Sequence, residues 1–255
     1  MRDAVAQGWL LGPRLLISLR QLATTGGIGD HWTPSLGRVD FFDDPAMPDP
    51  VFDGADQARA AARRMLQAGA DWLKLAATGS IMGPNAVHQE VTDEEIVALV
   101  DEANRRGGRQ VMAHAHGARA AEAAARGGVR SIEHGIHLDE AAVAAMVDHR
   151  TWLVPTLSAT MGETTPDAEL VEAHQASLRM AIEAGVSIAM GTDCPVSPHA
   201  ETLKEIGYLA ATGLGAAGAV RAATYDAGRL LDLDIGEISP GSASRGLLRS
   251  DSGSW

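Results

Sequence analysis

Several features that often decide a protein's class are scarce in this chain. One cysteine, Cys194, stands in 255 residues. An internal disulfide framework is therefore excluded, and a reducing, cytoplasmic compartment is expected. Aromatic residues make up 4% of the chain, so the core must come from Val, Leu, Ile, Met and an abundance of Ala. Basic residues are outnumbered, 21 Lys and Arg against 33 Asp and Glu, for a net charge of −12. That balance argues against nucleic acid or an anionic membrane surface as the main partner. No uninterrupted apolar run reaches membrane-spanning length. The opening MRDAVAQGWLLGPRLL lacks the basic and apolar regions of a secretory signal.

Alternation is what the chain does have. Residues 4–8 end a helix, Gly12-Pro13 punctuates, and residues 14–18 have the character of a strand. Residues 24–50 are rich in Gly, Pro and Asp and show no period, as in a long loop that is functional or disordered. Asp30, His31 and Trp32 within it are substrate-facing candidates, with an ordinary surface loop as the alternative. Then a helix end followed by a strand recurs five times: QAGADWLK, RGGRQVMAHAH, RGGVRSIEH, DHRTWLVPT and EAGVSIAMGTD. With residues 14–18 this makes six βα units, which predicts an α/β fold with a parallel sheet and right-handed crossovers. No strand is followed by G-x-G-x-x-G, which argues against dinucleotide binding. A (β/α)8 TIM-like barrel is favoured because polar residues from several strand ends converge. The spacing predicts helices over 53–69, 92–107, 139–149, 167–185 and, in pieces broken near Gly213 and Gly215, 200–233. Thr92-Asp93-Glu94-Glu95 opens the second as a capping box. The division expected is a barrel domain over 1–235 and a polar tail over 236–255.

Lys74 lies inside an apolar strand, with Leu73 and Leu75 on the opposite face and Trp72 and Ala76 on its own. Such a lysine must lose its proton, find a partner or be modified. It is a strand-end lysine reaching water, a Schiff-base lysine, or a carbamate that bridges metals. His114 and His116 share a strand face by period two, and His134 ends the next strand. Ligands bind at the carboxyl ends of parallel strands, and imidazole is the commonest metal ligand. Glu133 has the opposite parity and is expected to point at the helix layer or pair with an arginine. His137, His149, His174 and His199 are expected at the surface or in loops. His88 and Gln89 are placed to reach the site from the loop after the Lys74 strand. Asp193 in GTDC is a candidate metal ligand and proton carrier, or else a helix N-cap.

DWLKLAATG, MAHAHG, SIEHG and GTD, in that order on successive strands, resemble the amidohydrolase superfamily, closest to its imidazolonepropionase-like and Xaa-Pro dipeptidase (prolidase-like) branch. GWLLGPRLLISLRQLATTGG, QEVTDEE, WLVPTL, AATYDAGRLLDL and GEISPG are also similar to that branch. The resemblance implies a distorted (β/α)8 barrel beside a small β-sandwich and one or two divalent metals, usually zinc. It implies carboxylation of Lys74 by carbon dioxide to bridge them, with His114 and His134 on the second metal. Asp193 would ligate the first metal and shuttle the proton, and His116 would face the substrate or stand behind the metal ligands, beside the substrate-binding candidates His31 and Gln89 read from the loops. The implied reaction is attack of a metal-bound hydroxide on the carbonyl of a small amide or dipeptide. The alternatives are an imidazolone-like cyclic amide hydrolase or deaminase, a Schiff-base aldolase, and a non-catalytic remnant.

The chain departs from the family pattern in three places. The family's His-x-His on the first strand has no counterpart, since His114-Ala115-His116 is the only such pair. Ile28 stands where relatives often carry histidine, and Pro240-Gly241 leads into a polar segment instead of a sandwich strand. The expectation is a partial barrel, without the first two strands and the sandwich, whose open edges invite pairing with a second copy.

Overall fold

Ala-rich helices alternate with short strands that carry apolar side chains on both faces, and this alternation builds the molecule. The computed structural model describes residues 1–39, 47–83, 85–162 and 167–237. The strands are β1 (Gln21–Leu22), β2 (Trp32–Thr33), β3 (Gly37–Arg38), β4 (Trp72–Ala76), β5 (Gln110–Gly117), β6 (Ser131–His137) and β7 (Trp152–Val154). The helices up to β7 are α1 (Arg2–Ala6), α2 (Ala55–Gln67), α3 (Asp93–Arg105), α4 (Ala118–Arg126) and α5 (Glu140–Asp148). After it come α6 (Ser158–Met161), α7 (Ala168–Glu183), α8 (Lys204–Leu209), α9 (Gly215–Ala223) and α10 (Tyr225–Leu230).

The main sheet runs β1-β4-β5-β6-β7, every pair parallel. Ile188 adds a further rung by a parallel bridge to Leu153. There Leu153 N donates to Ser187 O at 2.9 Å and Ala189 N donates to Leu153 O at 3.0 Å. This is the partial (β/α) barrel that the alternation predicts, with helices outside and strand ends gathered at one rim. Among the described residues the sheet does not close.

Burial follows strand parity. Leu73, Leu75, Val111, Ala113, Ile132 and Leu153 face the helices in the main core, while Trp72, Val154, Ala189 and Leu230 form a smaller cluster. Small side chains let α4 lie close to its neighbours: a Cβ on Gly127 would stand 2.4 Å from Ile96 Cγ2. The capping box at α3 is present in full, and Glu95 also accepts from Gly54 N at 2.6 Å, joining the starts of α2 and α3. Glu102 on α3 accepts from Arg63 of α2 through both oxygens, at 2.8 and 2.9 Å. Among the described residues no helix is long and apolar enough to cross a membrane.

Two expectations need correction. The first sheet strand is Gln21–Leu22 and not residues 14–18. Leu19 turns left-handed, at φ 66°, and separates the two segments. Ile17 still docks beside the sheet, since its carbonyl accepts from Asp71 N at 2.7 Å. The long loop also contains an antiparallel hairpin, β2 with β3, too short to produce a readable period. Residues 40–46 of that loop, and all but the first two residues of the expected tail over 236–255, lie outside the described residues. Beyond β7, Gly213 at φ 154° and Gly215 at φ 64° break the helices where expected.

Candidate active site

At the carboxyl rim of the sheet is a cavity of about 320 Å³ lined by Lys74, His114, His116, His134, His174 and Asp193, with Ile28, Ile81, Ile136 and Val196 among its apolar walls. Strand register puts these groups together. Lys74 pairs with Met112, Ala76 with His114, and His114 with Glu133. In parallel pairs the partners share a face, so Lys74, His114, His116 and Glu133 all point to the barrel interior.

Parity alone would send His134 outward, beside Ala115. Its backbone is left-handed instead, at φ 76°, and the ring turns into the cavity. Thr156 at φ 54° and Asp193 at φ 56° do the same at the next strand ends. Three of the six described non-glycine residues with positive φ therefore line this one cavity. Each such conformation costs about 1–3 kcal/mol, and they cluster where function demands them.

Glu133 corrects the expectation of a helix-facing carboxylate. It stays on the inner face, where Ser131 Oγ donates to its Oε1 at 2.6 Å, and it lines a second cavity with Trp72, Met112 and Val154. Burial raises its pKa, and Lys74 pulls the other way. Burial pushes the Lys74 amine down, opposed by Glu133 and then Asp193. Asp193 is pushed up by burial and drawn down by Lys74. It caps no described helix: the next helical turn, His199–Glu201, has Pro198 at its N-cap.

The three rim imidazoles touch one another, with ring centroids 4.3, 4.7 and 4.9 Å apart. Burial holds His114 down to about 4 and His116 to about 2, and puts His134 well below the ordinary value. Neutral rings carry a lone pair, and the hydrogen bonds select which nitrogen bears it. His114 Nε2 is 3.0 Å from Gly79 O. A carbonyl only accepts, so Nε2 carries the proton and Nδ1 the lone pair. His134 Nδ1 is 2.7 Å from Thr156 Oγ1, whose own proton goes to Pro155 O at 2.6 Å. His134 is thus protonated on Nδ1, with the lone pair on Nε2. His116 is 3% exposed, and neither of its ring nitrogens has a partner.

Among the described residues no three His, Cys, Asp or Glu side chains are already grouped around a point that would hold a metal. The rings pack edge to face instead. The donor chemistry nevertheless fits a zinc-like ion: lone pairs on His114 Nδ1 and His134 Nε2, each with its other nitrogen held by protein, plus the Asp193 carboxyl in the same cavity.

Two expected substrate-facing residues are not brought here. His31 is exposed at the start of the hairpin, its carbonyl accepting from Val39 N at 2.6 Å. Gln89 spends its amide on Val91 O at 2.7 Å and Asp93 Oδ1 at 2.9 Å, at the start of α3. His174, expected at the surface or in a loop, is instead 1% exposed and lines the cavity from α7. The signal for it was present: His174, Ser177, Leu178 and Ala181 follow the i, i+3, i+4, i+7 spacing of a buried helix face.

The sequence profile described as the Amidohydrolase family matches residues 1–243. The chain belongs to the amidohydrolase family. This amidohydrolase is 30% identical over 261 residues to the ochratoxinase of Aspergillus niger, covering 93% of this chain and 53% of that protein. It therefore spans about half the length of the curated relatives it matches. Among solved structures it is similar to a Xaa-Pro dipeptidase with methionine bound in the active site, at 32% identity and a TM-score of 0.82. A prolidase complexed with N-methylphosphonate-L-proline matches at 32% identity and 0.80. Each alignment covers 94% of this amidohydrolase and 63% of the solved chain.

Proposed function

We propose that this chain carries the active site of a metal-dependent hydrolase that cleaves a carbon–nitrogen bond in a small amide, with an Xaa-Pro dipeptide as the substrate type. One observation carries the reading. Lys74, His114 and His134 stand on the successive parallel strands β4, β5 and β6, Asp193 follows the bridge at Ile188 beyond β7, and all four line a single cavity. The 32% identity to a Xaa-Pro dipeptidase supports the substrate type. A cavity of about 320 Å³ suits a molecule of dipeptide size.

In this reading His114 Nδ1, His134 Nε2, the Asp193 carboxyl and Lys74, once carboxylated by carbon dioxide, hold one or two divalent ions such as zinc. A divalent ion there supplies Lewis acidity toward a carbonyl oxygen and makes water a better nucleophile at neutral pH. The chain's own groups do the rest. Asp193, its pKa raised by burial, takes a proton on its carboxyl oxygen and returns it to the departing nitrogen. His116, unpartnered and neutral, donates an N–H to a substrate oxygen. Ile28, Ile81, Ile136 and Val196 exclude water and seat apolar parts of the substrate.

The test is elemental analysis of the purified chain before and after incubation with zinc and bicarbonate, with proline release from Xaa-Pro dipeptides assayed in parallel. Zinc uptake that Lys74→Met, His114→Ala or His134→Ala each abolish is the expected outcome. A stoichiometry near zero that zinc and bicarbonate leave unchanged would overturn the reading.

A further inference from the structure

Beneath the rim, one buried helix histidine supports the strained backbone at His134. His174 reaches from α7 under the end of β6, and its Nε2 lies 3.0 Å from the carbonyl of His134. That carbonyl only accepts, so Nε2 carries the proton. Nδ1 then accepts from Thr160 Oγ1 at 2.8 Å, a hydroxyl whose proton is shared with the more distant Leu157 O at 3.2 Å. The Pro155 carbonyl, just before Thr156, also stabilises the protonated ring. The same imidazole thus holds the backbone of β6 at left-handed His134 itself. From α8, Glu205 accepts from Leu157 N at 2.8 Å and Ser158 N at 2.6 Å, which anchors the segment that follows Thr156.

We propose that His174 is a positioning residue for His134. By holding the His134 carbonyl it keeps that residue left-handed, aims its ring into the cavity and places Nδ1 against Thr156 Oγ1, leaving Nε2 as the free lone pair. A lone pair aimed in this way is what a metal ligand needs, so the functional meaning rests on the proposed metal-dependent reading. The orientation itself does not.

The experiment compares the full chain with His174→Phe, which keeps ring volume and removes both hydrogen bonds, and His174→Gln, which keeps a donor for the His134 carbonyl. Two quantities are measured. One is the tautomer of His134 in metal-free protein, from the ¹⁵N shifts of its ring. The other is zinc affinity by competition with a chelator. Wild type and His174→Gln are expected to show His134 protonated on Nδ1. His174→Phe is expected to show mixed tautomers and zinc affinity reduced by roughly 10- to 100-fold. A folded His174→Phe with wild-type tautomer and affinity overturns the proposal, and so does equal loss in both variants, which would mean ring packing alone. If His174→Phe does not fold, His174→Gln decides: a wild-type tautomer supports the proposal and its loss overturns it. Should wild type bind no zinc, the tautomer shift in metal-free His174→Phe would still uphold the positioning role while the hydrolase reading fell.

Discussion

Thr156 Oγ1 lies 2.7 Å from His134 Nδ1, and both residues are left-handed, at φ 54° and 76°. Neither conformation has a local cause, because no glycine stands at either position. The bond joins the ends of β6 and β7 and sets which face of the His134 ring meets the cavity. Thr156→Val removes the hydroxyl and keeps the side-chain shape. Zinc affinity is expected to fall by roughly 10- to 100-fold with the fold intact, whereas Thr156→Ser keeps it. Chelator competition with far-ultraviolet circular dichroism checks this, and wild-type affinity in Thr156→Val would remove the role assigned to the bond.

Acid should weaken the fold through its buried imidazoles. His114 and His174 are each held down to about 4 by burial, against an ordinary 6.5. Between those values the unfolded chain binds more protons than the folded one, so stability rises with pH across that window. Their contribution is complete above about 6.5 and is lost as pH falls toward 4. Melting temperatures of metal-free protein measured across this range should decline toward acid. His114→Gln should flatten the slope, and an unchanged slope would show that the ring is not buried neutral.

Glu102 predicts the behaviour at still lower pH. The Arg63 guanidinium, then Arg106, hold its carboxyl down to about 2 from an ordinary 4.5. The stabilisation is present above 4.5 and lost as pH falls through 2. Both arginine side chains are about half exposed, so water screens much of it. Glu102→Gln is expected to lower the melting temperature at neutral pH by roughly 2–4 °C and to lose that difference in strong acid. Calorimetry at several pH values measures both.

Burial of the Lys74 amine costs stability. Its amine is pushed toward the neutral form among apolar neighbours, and a well-packed apolar replacement removes that desolvation. Lys74→Met is therefore expected to stabilise metal-free protein by on the order of 1 kcal/mol while abolishing zinc uptake. Denaturant unfolding and elemental analysis check the two halves, and a less stable Lys74→Met would show the amine to be a structural partner of Glu133.

Most of the strand and helix order was legible because it rests on local periods. Leu73 and Leu75 against Lys74, His114 against His116, and the Thr92–Glu95 capping box are patterns within a few residues. The cavity lining was legible where it followed parity. It was not where a left-handed residue broke parity, as at His134, which let consecutive Glu133 and His134 side chains both reach the interior. Gln89 stands apart from the cavity for another reason: its amide finds nearer partners at the start of α3.

The sequence by itself determined the βα alternation, and hence that Lys74, His114 and His134 follow one another on β4, β5 and β6, with Asp193 beyond β7. Strand period and helix length are set within one turn or one pleat, so this needs no knowledge of distant contacts. Only the tertiary structure decided which groups act together. His174 reaches His134 across 40 residues of chain and Glu205 reaches Ser158 across 47. The backbone at His134 and Thr156 is bent to suit those contacts, because a left-handed residue persists only where packing from elsewhere in the chain holds it.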